Sequence, residues 1–176
     1  MLLEHKNLKI RNATVSDAPL LVNWWNDGKV MAHAGFPKGI GETPENVAKK
    51  IETDDDNKSR RLILEVDNLP VGEACYYNLG DKIAEIGIKI CDFSKQEKGF
   101  GRIYLSMLIG SLFEDFGYEK IVLDTNLKNE RAQHVYEKLG FKKVRINYDS
   151  WKNQLGELES TVDYELYAKD FVNFAK

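Results

Sequence analysis

The chain reads as an α/β fold: a mixed, mostly antiparallel central sheet of about six or seven strands, flanked by about four helices. Three β-rich runs, Arg61 to Val66, Val71 to Asn78 and Ile83 to Asp92, follow one another with only Asp67-Asn68-Leu69-Pro70 and Leu79-Gly80-Asp81 between them. Both connections are turn chemistry, so the three runs form an antiparallel meander. The third run is followed by a glycine-containing loop, a long apolar helix pattern and another strand, and such a crossover favours parallel pairing. A meander joined to a crossover gives a mixed sheet.

In chain order, the first strand is expected at Leu8 to Asn12, ahead of a helix that opens near Thr14-Val15-Ser16-Asp17 and runs to about Asn26. Asp27-Gly28 stops it. The segment from Lys29 to Glu42 is rich in Gly and short of periodicity, as a loop over a site would be, and His33, Phe36 and Trp24 are its candidates for facing a substrate. Anchoring of that loop to the core explains Phe36 and the tryptophans equally well. Thr43-Pro44-Glu45 supplies a cap, a first-turn Pro and an acid at the positive end of the dipole, so a second helix follows to about Thr53. Asp54-Asp55-Asp56-Asn57 reads as solvated surface. After the meander, Leu105, Ile109, Leu112, Phe113 and Phe116 recur at helical spacing, and Gly117 ends the run. Lys120 to Thr125 is a strand. Asn129 to Leu139 is a helix stopped by Gly140, and strands at Phe141 to Tyr148 and Asp163 to Ala168 enclose a polar hairpin loop from Asp149 to Ser160, which reads as closing over the site or as a dimer contact.

One domain spanning residues 1–176 is expected, since 43% hydrophobic and 30% charged residues are ordinary globular composition. A formal net charge of -3 leaves no basic stripe for a nucleic-acid polymer and weakly favours amine-bearing partners. No run of about eighteen apolar residues occurs, so no membrane partner and a cytoplasmic location are expected. Cys75 and Cys91 lie in strand-like runs and read as buried thiols, and His5, His33 and His134 share no metal-ligand spacing with them.

The stretch Gln96-Glu97-Lys98-Gly99-Phe100-Gly101-Arg102 hands a strand to a helix. Its glycines permit close approach of a ligand, and the helix-opening amides would meet an anion, most naturally phosphate. The same heptapeptide also fits an ordinary connecting loop. A P-loop would need Lys-Ser/Thr after the second glycine, and a dinucleotide fold would need a third glycine where Tyr104 stands, so both patterns are absent.

The spacing Gln96-x-x-Gly99-x-Gly101 resembles the acyl-CoA pyrophosphate loop of the GNAT superfamily of N-acetyltransferases. Some thirty residues on, Asn129-Glu130-Arg131-Ala132-x-x-x-Tyr136-Glu137-Lys138-Leu139-Gly140-Phe141 is similar to that superfamily's second signature. Trp25-Asn26-Asp27-x-x-Val30 and Ala84-Glu85-Ile86-Gly87-Ile88 further resemble its RimJ/RimL-like branch, which acetylates protein N-termini and assorted amines. The resemblance implies acetyl-CoA as donor, no metal, and a primary amine as acceptor, on a peptide N-terminus or a small molecule. It implies that the backbone of Ile88, Lys89 and Ile90 holds the pantetheine arm and the thioester oxygen. Gln96, Lys98, Gly99, Phe100, Gly101 and Arg102 would take the pyrophosphate, and Asn129 the pantetheine.

It also makes Tyr136 the general acid beside the CoA sulfur, although Ala132, Val135, Tyr136 and Leu139 form a stripe that a plain core aromatic would occupy as readily. Glu85, on the strand leading to the loop, is the candidate base through a water, with Glu73 and Asp124 as rivals; strand alternation fits an exposed carboxylate there too. An aminoglycoside or polyamine acetyltransferase of the same fold is an alternative, for which an acidic trough between the first two helices would speak. A non-catalytic acyl-CoA-binding module is another. The acceptor's identity carries no motif of its own, and a homodimer is a further expectation.

Overall fold

The computed structural model describes residues 1–176. One eight-stranded sheet has the order β1-β2-β3-β4-β5-β6-β8-β7, formed by β1 (Leu2–His5), β2 (Leu8–Asn12), β3 (Ser59–Val66), β4 (Leu69–Gly80), β5 (Ile83–Ile90), β6 (Lys120–Asn126), β7 (Lys142–Lys152) and β8 (Leu158–Tyr167). Every neighbouring pair is antiparallel except β5 and β6. The mixed sheet and the meander are as expected, with one strand more. β1 is four residues long and half-exposed, so it carries no apolar run to read; a turn at Lys6, in the left-handed region at φ 56°, folds it onto β2.

Five helices cover the two faces. α1 (Ala18–Asn26) and α3 (Pro44–Glu52) pack on Ile63 through Leu21, Val22, Val47 and Ile51. Thr43 caps α3 as its composition predicts, its hydroxyl accepting from the Asn46 amide at 3.3 Å. On the opposite face, α4 (Phe100–Glu114) and α5 (Glu130–Lys138) close the main core with Ile10, Leu62, Leu64, Tyr76, Ala84, Ile86, Ile121 and Tyr164. Tyr104 through Leu112 are all buried, because α4 lies between the sheet and the segment after β8, where Phe171 meets Phe113 edge-on at 5.8 Å. A helix apolar on all sides needs such cover on both sides.

Several expectations are corrected. Lys29 to Glu42 is not all loop: α2 (Gly28–Met31) and a 3-10 turn at Ala32–Ala34 occupy its start, with Asp27 capping α2 through the Lys29 amide at 2.8 Å. The acidic run is not solvated surface. The Asp54 carboxylate is 1% exposed, pairs with the Arg61 guanidinium and accepts from the Arg61 amide at 2.9 Å, while Asp56 holds Arg60 at 2.6 Å. These acids fasten the α3–β3 connection to β3 before the meander begins. The hairpin loop expected over Asp149 to Ser160 is mostly strand, with only residues 153–157 in the turn. Cys91 is buried, Cys75 only partly, and both are free thiols.

Candidate active site

β5 and β6 are bridged only where Ile83, Ala84 and Glu85 face Lys120, Ile121 and Val122. Beyond that, β5 stays with β4 as far as the Ile90–Gly72 pair, while β6 follows β8 to the Asn126–Thr161 pair. The only parallel pair in the sheet therefore opens into a V, and the backbone of Ile86 to Ile90 has no strand partner on that side. Gly72 lets β4 hold β5 closely here, since a Cβ on it would stand 2.3 Å from the Lys89 carbonyl oxygen.

The V opens into a cleft of about 830 Å³. Ile86 through Ile90 form one wall and Leu123 through Asn126 the other. The start of α4, Gly99 to Arg102, the α5 cap Asn129 and the α5 residues Ala132, Val135 and Tyr136 also line it, as do Lys29, Val30, His33 and Trp151. The expected pantetheine strand, glycine loop and tyrosine thus meet around one space.

The glycine loop is shaped for an anion. Glu97 and Gly99 both sit in the left-handed region, at φ 60° and 79°, and Gly99 is the N-cap of α4 without a side chain to satisfy the helix-opening amides. A Cβ added to Gly99 or Gly101 would meet nothing within 4 Å, so the chain leaves the space before these amides clear. Open amides at the positive end of a 15-residue helix favour phosphate. Lys95, Arg102, Arg131 and Lys138 line the cleft as well and add positive charge, with His134 among them.

The individual side chains divide into those that face the cleft freely and those engaged within the chain. Tyr136 is 8% exposed, its ring wedged edge-on between Phe141 at 5.8 Å and Tyr164 at 5.7 Å. Its hydroxyl makes no hydrogen bond within the chain, and burial, then the charge of Asp124, push that hydroxyl up to about 12. Asn129 caps α5, accepting from the Ala132 amide at 3.2 Å, and its amide reaches Thr125 at 3.4 Å. The Gln96 side chain donates to the Ile90 carbonyl at 2.9 Å and accepts from Arg131 at 3.2 Å, so it ties the loop to both β5 and α5.

Two expected residues stand outside the cleft lining. Lys98 is exposed, and Lys95, three residues earlier, lines the cleft instead. Glu85 borders a smaller adjoining hollow with Asp124, Asp163 and Glu165, because alternation turns it to the face that α1 and α3 cover. Burial, then Asp124, raise its carboxyl above the ordinary value. Asp124 borders both spaces; burial and then Asp163 raise it too. The rival Glu73 is committed elsewhere: both its oxygens accept from the Trp25 indole at 2.9 Å, and Lys89 stands 3.8 Å away.

Of the hairpin read over Asp149 to Ser160 as closing over the site or as a dimer contact, Trp151 lines the cleft, reaching it from the far edge of the sheet. The Trp151 ring lies against Gly35, where a Cβ would come within 2.3 Å. Gln154 accepts from the Lys38 amide at 2.7 Å, donates to the Gly39 carbonyl at 2.9 Å and, through its own amide, to the Gly35 carbonyl at 2.8 Å. The turn is thereby latched to the segment that follows the cleft-lining residues Lys29, Val30, His33 and Ala34. Arg131, His134 and Lys138 were legible in principle, because their spacing puts them on one stripe of α5.

Residues 7–142 match the family model described as an acetyltransferase (GNAT) domain. Among solved structures, the chain resembles a spermidine N-acetyltransferase from Vibrio cholerae in complex with CoA and spermine, with a TM-score of 0.83 at 21% identity over 95% of this chain and 99% of that one. It resembles RimL, a ribosomal L7/L12 alpha-N-protein acetyltransferase in complex with coenzyme A, with a TM-score of 0.83 at 15% identity over 95% and 98%. A ribosomal-protein-S5-alanine acetyltransferase from Vibrio fischeri gives 0.78 at 19% identity over 98% and 99%. At these identities the likeness is one of fold. No group of His, Cys, Asp and Glu side chains suited to a metal ion is present, and no helix is long and apolar enough to cross a membrane.

Proposed function

The chain belongs to the GNAT family of acetyltransferases, and from that premise we propose that it moves the acetyl group of acetyl-CoA to a primary amine by direct attack within a ternary complex. The observation that carries this reading is the V between β5 and β6, which brings an unpaired strand edge, an open amide nest and the free Tyr136 hydroxyl around one cleft. Each supplies one requirement of acyl transfer. The amides at Gly99 to Arg102 take the pyrophosphate. The unpaired backbone of Ile88 to Ile90 pairs with the pantetheine and donates to the thioester oxygen as it gains charge. The amine nitrogen attacks the thioester carbon, the C–N bond forms, and the C–S bond breaks as Tyr136 protonates the departing sulfur. Glu85 or Asp124 takes the amine proton through water.

A second reading narrows the acceptor to a polyamine or a similar polycation. It is favoured by the acids Glu85, Asp124, Asp163 and Glu165 gathered beside the cleft, a different place from the space between the first two helices, where an acidic trough would also speak for it. The spermine-bound neighbour agrees with this reading as an analogy of fold. One experiment tests both: thiol release from acetyl-CoA, measured with polyamines, aminoglycosides, amino acids and peptides of varied N-terminus. Calorimetric CoA binding without thiol release to any amine would leave a binding module rather than an enzyme.

A further inference from the structure

The segment that follows β8 reaches the glycine loop. Asp170 crosses α5's end so closely that a Cβ on Gly140, at φ 99°, would stand 2.0 Å from the Asp170 carbonyl oxygen. The Val172 amide then donates to the Leu139 carbonyl at 3.0 Å, and Phe171 packs on Phe113 of α4. At Phe174 the backbone amide donates to the Ser106 hydroxyl at 3.0 Å. Ser106 is fully buried in the otherwise apolar middle of α4, so its one polar atom serves to anchor this segment.

Anchored there, the Phe174 ring lies under Arg102, with the guanidinium carbon 4.4 Å from the ring centroid. The Arg102 Nε is buried without a hydrogen-bond partner, and no nitrogen of this side chain bonds or pairs with anything in the chain. A buried Nε–H left without a partner is costly for the free protein. Arg102 lines the cleft one turn into α4, beside the amides that open the helix.

We propose that Phe174 is a positioning residue for the donor: it stacks beneath Arg102 and holds the guanidinium's terminal N–H groups ready for the phosphates of the acyl-CoA. This rests on the acetyl-CoA reading above. A free arginine has about 2 kcal/mol of rotamer entropy to lose on binding, and the ring removes part of that loss beforehand. The stack also fixes the plane of the guanidinium, which matters for a fork that grips two oxygens at once.

The test compares acetyl-CoA KM, kcat and CoA affinity across variants. Phe174→Leu keeps apolar cover but loses the ring face, and raises KM for acetyl-CoA about fivefold while kcat at saturation and Tm stay near wild type. Phe174→Tyr restores KM. Arg102→Met raises KM further, leaves the free protein as stable or more so, and abolishes any added effect of Phe174→Leu. Ser106→Ala, which releases the anchor without touching the ring, raises KM in the same direction and provides a second route should Phe174→Leu fold poorly. Wild-type affinity in both Phe174→Leu and Ser106→Ala, or a Phe174 effect that persists in the Arg102→Met background, overturns the proposal. Failure of the wild type to bind CoA at all overturns the donor reading itself, so the two failures are distinguishable.

Discussion

Replacing Tyr136 with Phe removes one oxygen from the lining of the cleft and little else. The ring's edge-on contacts with Phe141 and Tyr164 are kept, and the hydroxyl has no partner in the chain that would be left unpaired. Stability and CoA affinity therefore change little. If the hydroxyl protonates the departing sulfur, kcat falls by roughly 10²-fold, the lower end of what a positioned acid contributes, or about 2.7 kcal/mol at 1.36 kcal/mol per tenfold. The pH dependence adds a second signature. Burial, then Asp124, hold the hydroxyl's proton up to about 12, so the acid form is present throughout neutral and mildly alkaline conditions. The loss is then the same factor at every pH from about 6 to 10, and the profile keeps its shape. Thiol release at saturating acetyl-CoA, followed across that range, measures both. A rate within about threefold of wild type, or a loss confined to one limb of the profile, refutes the acid role.

Further outcomes follow from other parts of the structure. Gly99→Ala places a Cβ at φ 79°, costing about 1–2 kcal/mol in a denaturant melt, and raises KM for acetyl-CoA because the amide nest shifts. Glu85→Gln lowers kcat/KM and removes the part of its acidic limb set by the Glu85 carboxyl, which burial and then Asp124 raise above the ordinary glutamate value of 4.5; a profile that keeps wild-type shape and magnitude clears Glu85 of the base role. Asp17 is held below its ordinary 3.8: burial opposes its ionisation, but hydrogen bonds from Arg11 and Thr14 outweigh it. Its stabilisation is present above about pH 4 and is lost as the pH falls through the lowered value. Asp17→Asn accordingly lowers Tm at pH 7 and converges on wild type in strong acid. Gln154→Ala breaks the side-chain bonds to Lys38 and Gly39 and raises KM for the acceptor while KM for acetyl-CoA is unchanged.

What could be read beforehand depended on whether the determining contacts are local. The caps at Thr43 and Asn129, the turn after Val66 and the glycine loop are set within a few residues, and the chain announces them. The V between β5 and β6 is different. It arises because β5 is held by β4 and β6 by β8, two pairings whose divergence no single strand encodes. Asp54 to Asp56 misled for the same reason: an acidic run looks solvated until Arg60 and Arg61 fold back onto it. Trp151 reaches the cleft from the sheet's far edge, and Phe174 reaches Arg102 across α4, so both contributions exist only once the fold does.

Charge beside the cleft bears on how an acceptor can be both attracted and activated. Of the four acids around the smaller hollow, Asp163 is paired with Arg145 at 3.1 Å and Glu165 with Lys120 at 3.7 Å. Across β5, Lys89 faces Glu73. The uncompensated charge is therefore that of Glu85 and Asp124, which have no ion partner in the chain. Two free carboxylates draw an ammonium in, but they also hold its proton on, and a protonated amine cannot attack a thioester. The raised carboxyls ease this conflict. A group that binds its proton more tightly than an ordinary carboxylate is a better acceptor for the one the amine must lose. On the proposed reading the same pair therefore recruits the cation and takes its proton, and neutralising either carboxylate should raise acceptor KM and lower kcat together.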